Sequence, residues 1–123
     1  EDPEFRRRIA QLETELKSLE ITQLRVLSAE KAGEGRQNPL SAVLKLKGTE
    51  LLQATTELAM DVGGPLSMPD WAEELEALSN EPEVGPVWAT EATRSYLFLR
   101  AASIYGGTNE IMKNIVSKAV LGL

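Results

Sequence analysis

IYGGTNEIMKNIVSKAVLGL, residues 104–123, contains a helix junction and then a whole amphipathic helix. Gly106 and Gly107 end one helix-like stretch, and Thr108 is an N-cap candidate for the next. Ile111, Met112, Ile115, Val116, Ala119 and Val120 follow at helical spacing and fall on one face. A glycine pair lets the backbone approach a ligand closely, and the helix start behind it offers N–H groups with a partial positive charge, which suits an anion such as phosphate. The same residues also read as a glycine C-cap ahead of an ordinary packing helix, the commoner use of a Gly-Gly-Thr junction.

Upstream of this junction, VWATEATRSYLFLRAAS predicts a helix over 87–103. Its stretch Tyr96-Leu97-Phe98-Leu99 is apolar around much of the circumference, as expected of a buried bundle helix. Arg94 and Arg100 read as members of surface ion pairs, with Arg100 also within reach of a ligand at the junction. A helix over 40–62 carries Leu40, Val43, Leu44, Lys47, Leu51, Ala54, Leu58 and Val62 along one side and stops at Gly63-Gly64-Pro65. Gly48 inside it costs about 1 kcal/mol relative to Ala and reads as a mark of close helix packing.

The first helix is announced by Asp2-Pro3-Glu4, an N-cap, a first-turn proline and an acid at the positive helix end. Phe5, Ile9, Leu12, Leu16 and Leu19 repeat at alternating steps of four and three, and the helix is expected to run from 3 to 32, with a Glu13–Lys17 pair outside. Gly33-Glu34-Gly35 after it favours a bundle helix over a coiled coil. GEGRQNP (33–39) reads as a loop. Between Pro65 and Pro86 the chain is rich in proline and acid; Asp70 caps a short helix to Leu78, and the acidic run WAEELEALSNEPE is a solvated surface or, alternatively, shapes a pocket or subunit contact.

The chain has 123 residues, enough for one core. Apolar residues make up 42 % but aromatics only 5 %, which favours helix over sheet. There is no cysteine and no histidine, so thiol chemistry, a histidine base and His-ligated zinc are excluded. The net charge of −6 argues against nucleic acid. Arg6-Arg7-Arg8 points in three directions on a helix and reads as solvated, a phosphate contact being the alternative. No apolar run has the length of a membrane span, EDPEFRRR does not resemble a signal peptide, and a cytoplasmic protein is expected.

IYGGTNEIMKNIVSKAVLGL resembles the last segment of acyl-CoA dehydrogenases, flavoenzymes that desaturate acyl-CoA thioesters at the α,β position. ELAMDVGGP (57–65) resembles a helix end of the same carboxyl-terminal domain, and LKLKGTELLQ (44–53) the helix leading to it; the resemblance runs from about residue 5 to the end. It implies an all-α up-and-down helical bundle, with residues 1–123 as the carboxyl-terminal domain of a longer protein, incomplete without an upstream helix. It further implies Tyr105 and Gly107 beside the acyl-CoA thioester, Thr108, Asn109 and Glu110 by the flavin of FAD, and Gly63-Gly64 by the adenosine part of a neighbouring subunit's flavin. Met60 stands where many relatives carry a glutamine donor. Desaturation needs a carboxylate to take the α-proton while hydride leaves the β-carbon for the flavin. Most relatives place that glutamate where Gly106 stands here, whereas long-chain-type relatives with the same GGTNE form carry it on an earlier helix, so no catalytic residue is expected in this chain. The resemblance also implies an electron-transfer acceptor and a homo- or hetero-oligomer, which exposed apolar faces of the bundle would favour. The chain by itself is expected to be inactive and not to retain FAD. A different reading is a non-catalytic structural helical partner subunit of a heteromeric dehydrogenase.

Overall fold

A computed structural model describes residues 2–33, 38–68 and 85–122. Every regular element among them is helical: α1 (Pro3–Lys31), α2 (Leu40–Gly63), a 3-10 turn (Gly64–Ser67), α3 (Val87–Leu99), a second 3-10 turn (Arg100–Ser103) and α4 (Asn109–Leu121). The expected all-α class and four helices are observed. The expected short helix from Asp70, the acidic run and most of the 33–39 loop lie outside the described residues. The chain divides into two compact units, Glu1–Leu52 with Ala101–Leu123, and Gln53–Arg100.

In the first unit, Asp2 starts α1 as its sequence demands, with Oδ1 accepting the Glu4 N–H at 2.8 Å. Arg7 pairs with Glu4 in the first turn. The Glu13–Lys17 pair is not what forms: Lys17 reaches forward to Glu20 instead, at 2.7 Å. Such exposed pairs contribute little.

The apolar stripe of α1 is wider than the face the unit buries. Phe5, Leu12, Leu19 and Val26, seven residues apart, turn inward, whereas Ile9 and Leu16 from the same repeat are exposed. On α2 the deepest positions of this unit are Ala42 and Thr49, both off the apolar side anticipated for the helix. Small side chains there let neighbouring elements come close. At Gly48 an added methyl would meet Leu19 Cδ2 of α1 at 3.7 Å, ordinary contact distance. The helices therefore do not require glycine at 48, contrary to the close-packing expectation.

The second unit is organised around the end of α2. Gly63 is the last residue of the helix, one beyond the expected end; Gly64 takes φ +51°, which closes the α-helix as the Gly-Gly-Pro signal predicts, and the chain goes on as a 3-10 turn. Ser67, 1 % exposed, places its hydroxyl 2.7 Å from the Gly64 carbonyl and 3.1 Å from that of Met60. In turn its own carbonyl accepts from Thr93 of α3 at 2.5 Å. A buried serine thus satisfies carbonyls that the helix end leaves open. A methyl on Gly63 would lie 3.0 Å from Ser67 Cβ and 3.3 Å from Ala89 Cβ, so here a side chain fits only if those neighbours give way.

Helix α3 ends at Leu99, four residues short of the expected limit, and finishes as a 3-10 turn. The Gln53 side-chain amide donates to the carbonyls of Leu99 at 3.0 Å and Arg100 at 3.3 Å, competing for acceptors that further α-helical turns would use. Arg100 does more than a surface ion pair requires: its guanidinium donates to the carbonyls of Gln53 (3.0 Å) and Tyr96 (3.1 Å) and lies 4.2 Å over the Tyr96 ring. Leu97 and Phe98 are 63 % and 72 % exposed, so the described residues do not bury the whole apolar run of α3.

Two glycines separate these packing accounts. Gly48→Ala is expected to stabilise the chain by up to about 1 kcal/mol through helix propensity, whereas Gly63→Ala is expected to cost roughly 1–3 kcal/mol by overpacking. Urea unfolding of the two variants measures both signs; a stabilising Gly63→Ala would contradict the packing described for Ser67 and Ala89.

Candidate functional site

After the second 3-10 turn the chain must reverse into α4. The Ala101 carbonyl accepts from Ile104 (2.9 Å) and Tyr105 (3.1 Å), closing the turn. Gly106 and Gly107 then adopt φ +66° and +99°, both in the region that L side chains rarely enter. At Gly107 an added Cβ would also collide with the methyl end of Met112, whereas Gly106 opens onto free space. Thr108 caps α4: it is extended (φ −65°, ψ 157°) and its hydroxyl accepts the Ile111 N–H at 3.3 Å.

Along this junction Tyr105, Gly106 and Glu110 are exposed, and Gly107, Thr108 and Asn109 are half-buried. No hydrogen-bond acceptor among the described residues takes the N–H groups of Gly107, Thr108 or Asn109. The junction is therefore a short row of backbone donors at a positive helix end. Glu110 answers the same field. Its carboxyl is held below the ordinary glutamate range by a hydrogen bond to its own backbone N–H, then by the Thr108 hydroxyl, with Lys113 and Lys45 assisting and slight desolvation opposing.

Lys45 escapes a reading that follows apolar periodicity. Its ammonium donates to the Ala102 carbonyl at 3.1 Å and to Asn109 Oδ1 at 3.2 Å, joining α2 to the 3-10 turn and to the first residue of α4. A signal existed in the sequence: Ala42, Lys45, Thr49, Gln53 and Thr56 recur at steps of three and four. They form a small and polar stripe beside the apolar one.

Of the other expected site residues, Met60 is half-buried and gives its carbonyl to Ser67. Gly63 is enclosed by Ser67 and Ala89, while Gly64 has open space where a Cβ would stand. These three belong to the second unit and residues 105–110 to the first.

Glu110, with a depressed folded-state pKa, adds stability above the pKa of an unfolded glutamate and loses it as pH falls through the folded value. Thr108→Val removes one of the two leading causes together with the N-cap. The expected result is an upward move of the Glu110 titration, followed by NMR, and a loss of about 1 kcal/mol of stability. A titration unchanged in the variant would contradict the capping geometry.

Residues 1–121 match the family model described as "Acyl-CoA dehydrogenase, C-terminal domain". The chain is 33 % identical over its whole length to acyl-CoA dehydrogenase IpdE1 of Mycolicibacterium smegmatis, covering 26 % of that protein. It is also 33 % identical, again over the whole chain, to acyl-CoA dehydrogenase IpdE1 of Mycobacterium tuberculosis, covering 28 % of it. The chain thus spans about a quarter of the length of these curated relatives. No solved structure matches it. With the helices in the expected order and the family model spanning nearly every residue, this chain belongs to the acyl-CoA dehydrogenase family, as its C-terminal domain.

Proposed function

We propose that this chain is the C-terminal domain of an FAD-dependent acyl-CoA dehydrogenase, and that its 105–110 junction forms part of the flavin and thioester surroundings. The observation that carries the reading is the row of N–H donors at Gly107, Thr108 and Asn109, reached through two consecutive left-handed glycines. Such a donor set fits the acceptor-rich edge and phosphates of FAD. Gly107 takes the place beside the thioester, with Tyr105 next to it. Thr108, Asn109 and Glu110 take the flavin side. In the second unit, Gly63, Gly64 with its open face, and Met60 suit the adenosine part of a neighbouring subunit's flavin.

When bound, FAD accepts the hydride that leaves the acyl β-carbon. The residues of this chain bind and orient. Donors aimed at a thioester oxygen would stabilise the charge that develops there. Gly106 supplies no carboxylate, so the group that takes the α-proton belongs to another part of the full-length protein. The exposed apolar residues of α3 and α4, Leu97, Phe98, Ile111 and Ile115 among them, suit a homo- or hetero-oligomeric interface. An acyl-CoA substrate and an electron-transfer acceptor complete the reading.

The full-length protein provides the test. Thr108→Val is expected to reduce FAD retention through gel filtration while the helical content is kept. The 123-residue chain alone is expected to retain no flavin and to show no turnover with an acyl-CoA and an artificial acceptor. A helix terminus adds about 0.3–1 kcal/mol at an exposed site, far short of the roughly 8 kcal/mol of micromolar binding. A full-length protein devoid of flavin would favour the non-catalytic partner instead. Stoichiometric flavin on the isolated chain would contradict the proposed division of labour.

A further inference from the structure

We propose that Lys45 is a positioning residue, one that turns the Asn109 side-chain amide so that its NH2 group, and not its oxygen, is offered to FAD; this rests on the flavin-side placement of Asn109 proposed above. The argument begins with an asymmetry of chemistry. A primary amide presents an acceptor and two donors in nearly the same shape, and nothing in its own structure selects which faces outward. An ammonium has only donors. With Lys45 Nζ 3.2 Å from Asn109, the amide must give its oxygen to the lysine, and its NH2 points away from it.

The lysine is itself held. Its second hydrogen bond goes to the carbonyl of Ala102, a residue 3 % exposed within the 3-10 turn, so the ammonium is anchored to backbone and not free to swing. The Asn109 NH2 thereby joins the backbone N–H groups of Gly107, Thr108 and Asn109. The positive charge of Lys45 also reaches the start of α4, where Glu110 feels it. Remove the lysine, and the amide rotates freely between donor and acceptor, weakening contact with an acceptor atom of the cofactor.

The test is a double-mutant cycle in the full-length protein, prepared as apoprotein and titrated with FAD and with ADP. Lys45→Met and Asn109→Ala are each expected to weaken FAD binding roughly tenfold, the size of one hydrogen bond to a charged or oriented group. The double variant is expected to be no weaker than either single one. Lys45→Arg, which also has only donors, is expected to recover most of the affinity. Weakened FAD with unchanged ADP places the acceptor on the flavin ring; weakening of both places it on the phosphates, and either agrees with the proposal. Thermal melting accompanies each variant, and Lys45→Gln replaces Lys45→Met if the latter does not fold. Losses that add in the double variant, or a Lys45→Met protein with native FAD affinity, overturn the role of Lys45 alone. Native affinity in both Asn109→Ala and Thr108→Val overturns the flavin-side placement and the inference with it.

Discussion

Everything beyond α3 depends on a backbone that turns left-handed twice in succession. Only glycine passes through φ +66° and then +99° without strain, and at the second position a Cβ would also displace the methyl end of Met112. The reversal separates the 3-10 turn from α4 and leaves Thr108 extended, ready to cap. Several N–H groups then face no acceptor within the described residues. An ordinary side chain at 107 would strain the backbone at φ +99° and push the Met112 methyl aside. The packing role of these residues leaves room for the ligand-facing one proposed for them, and the two readings of a Gly-Gly-Thr junction are not exclusive.

Helix boundaries were legible where local chemistry sets them. Asp2-Pro3 and Thr108 mark helix starts by capping, and α1 occupies its expected range to within a residue. Boundaries set by contacts remote in sequence were not. The end of α3 depends on Gln53, 46 residues before Leu99, which leaves no periodic trace. The inward face of α1 was only half legible. A heptad repeat shows which residues are apolar, but the neighbour decides which half of the repeat is covered.

The glycine junction was found from sequence because glycine pairs and a threonine cap are strong local signals. Lys45 was missed because a lysine on an apolar helix looks like an interruption. Its role appears only when Ala102 and Asn109, 57 and 64 residues away, are brought to it. Gly63 carries a packing constraint that its neighbours in sequence do not announce: Ser67 and Ala89 crowd the position a Cβ would take. The buried side chains are mostly small, alanine, serine and threonine, while Leu97, Phe98 and Ile111 stay exposed. Among the described residues, then, small side chains make most of the core and larger apolar ones are left at the surface.

The central claim is that the 105–110 junction faces FAD. Hydrogen–deuterium exchange of the full-length protein, with and without FAD, tests it most directly, because the donors concerned are backbone N–H groups. The expected result is slowed exchange in a peptide covering Gly107, Thr108 and Asn109 when FAD is added, with the distant α1 peptides unchanged. FAD binding with no change in the exchange of that peptide would contradict it.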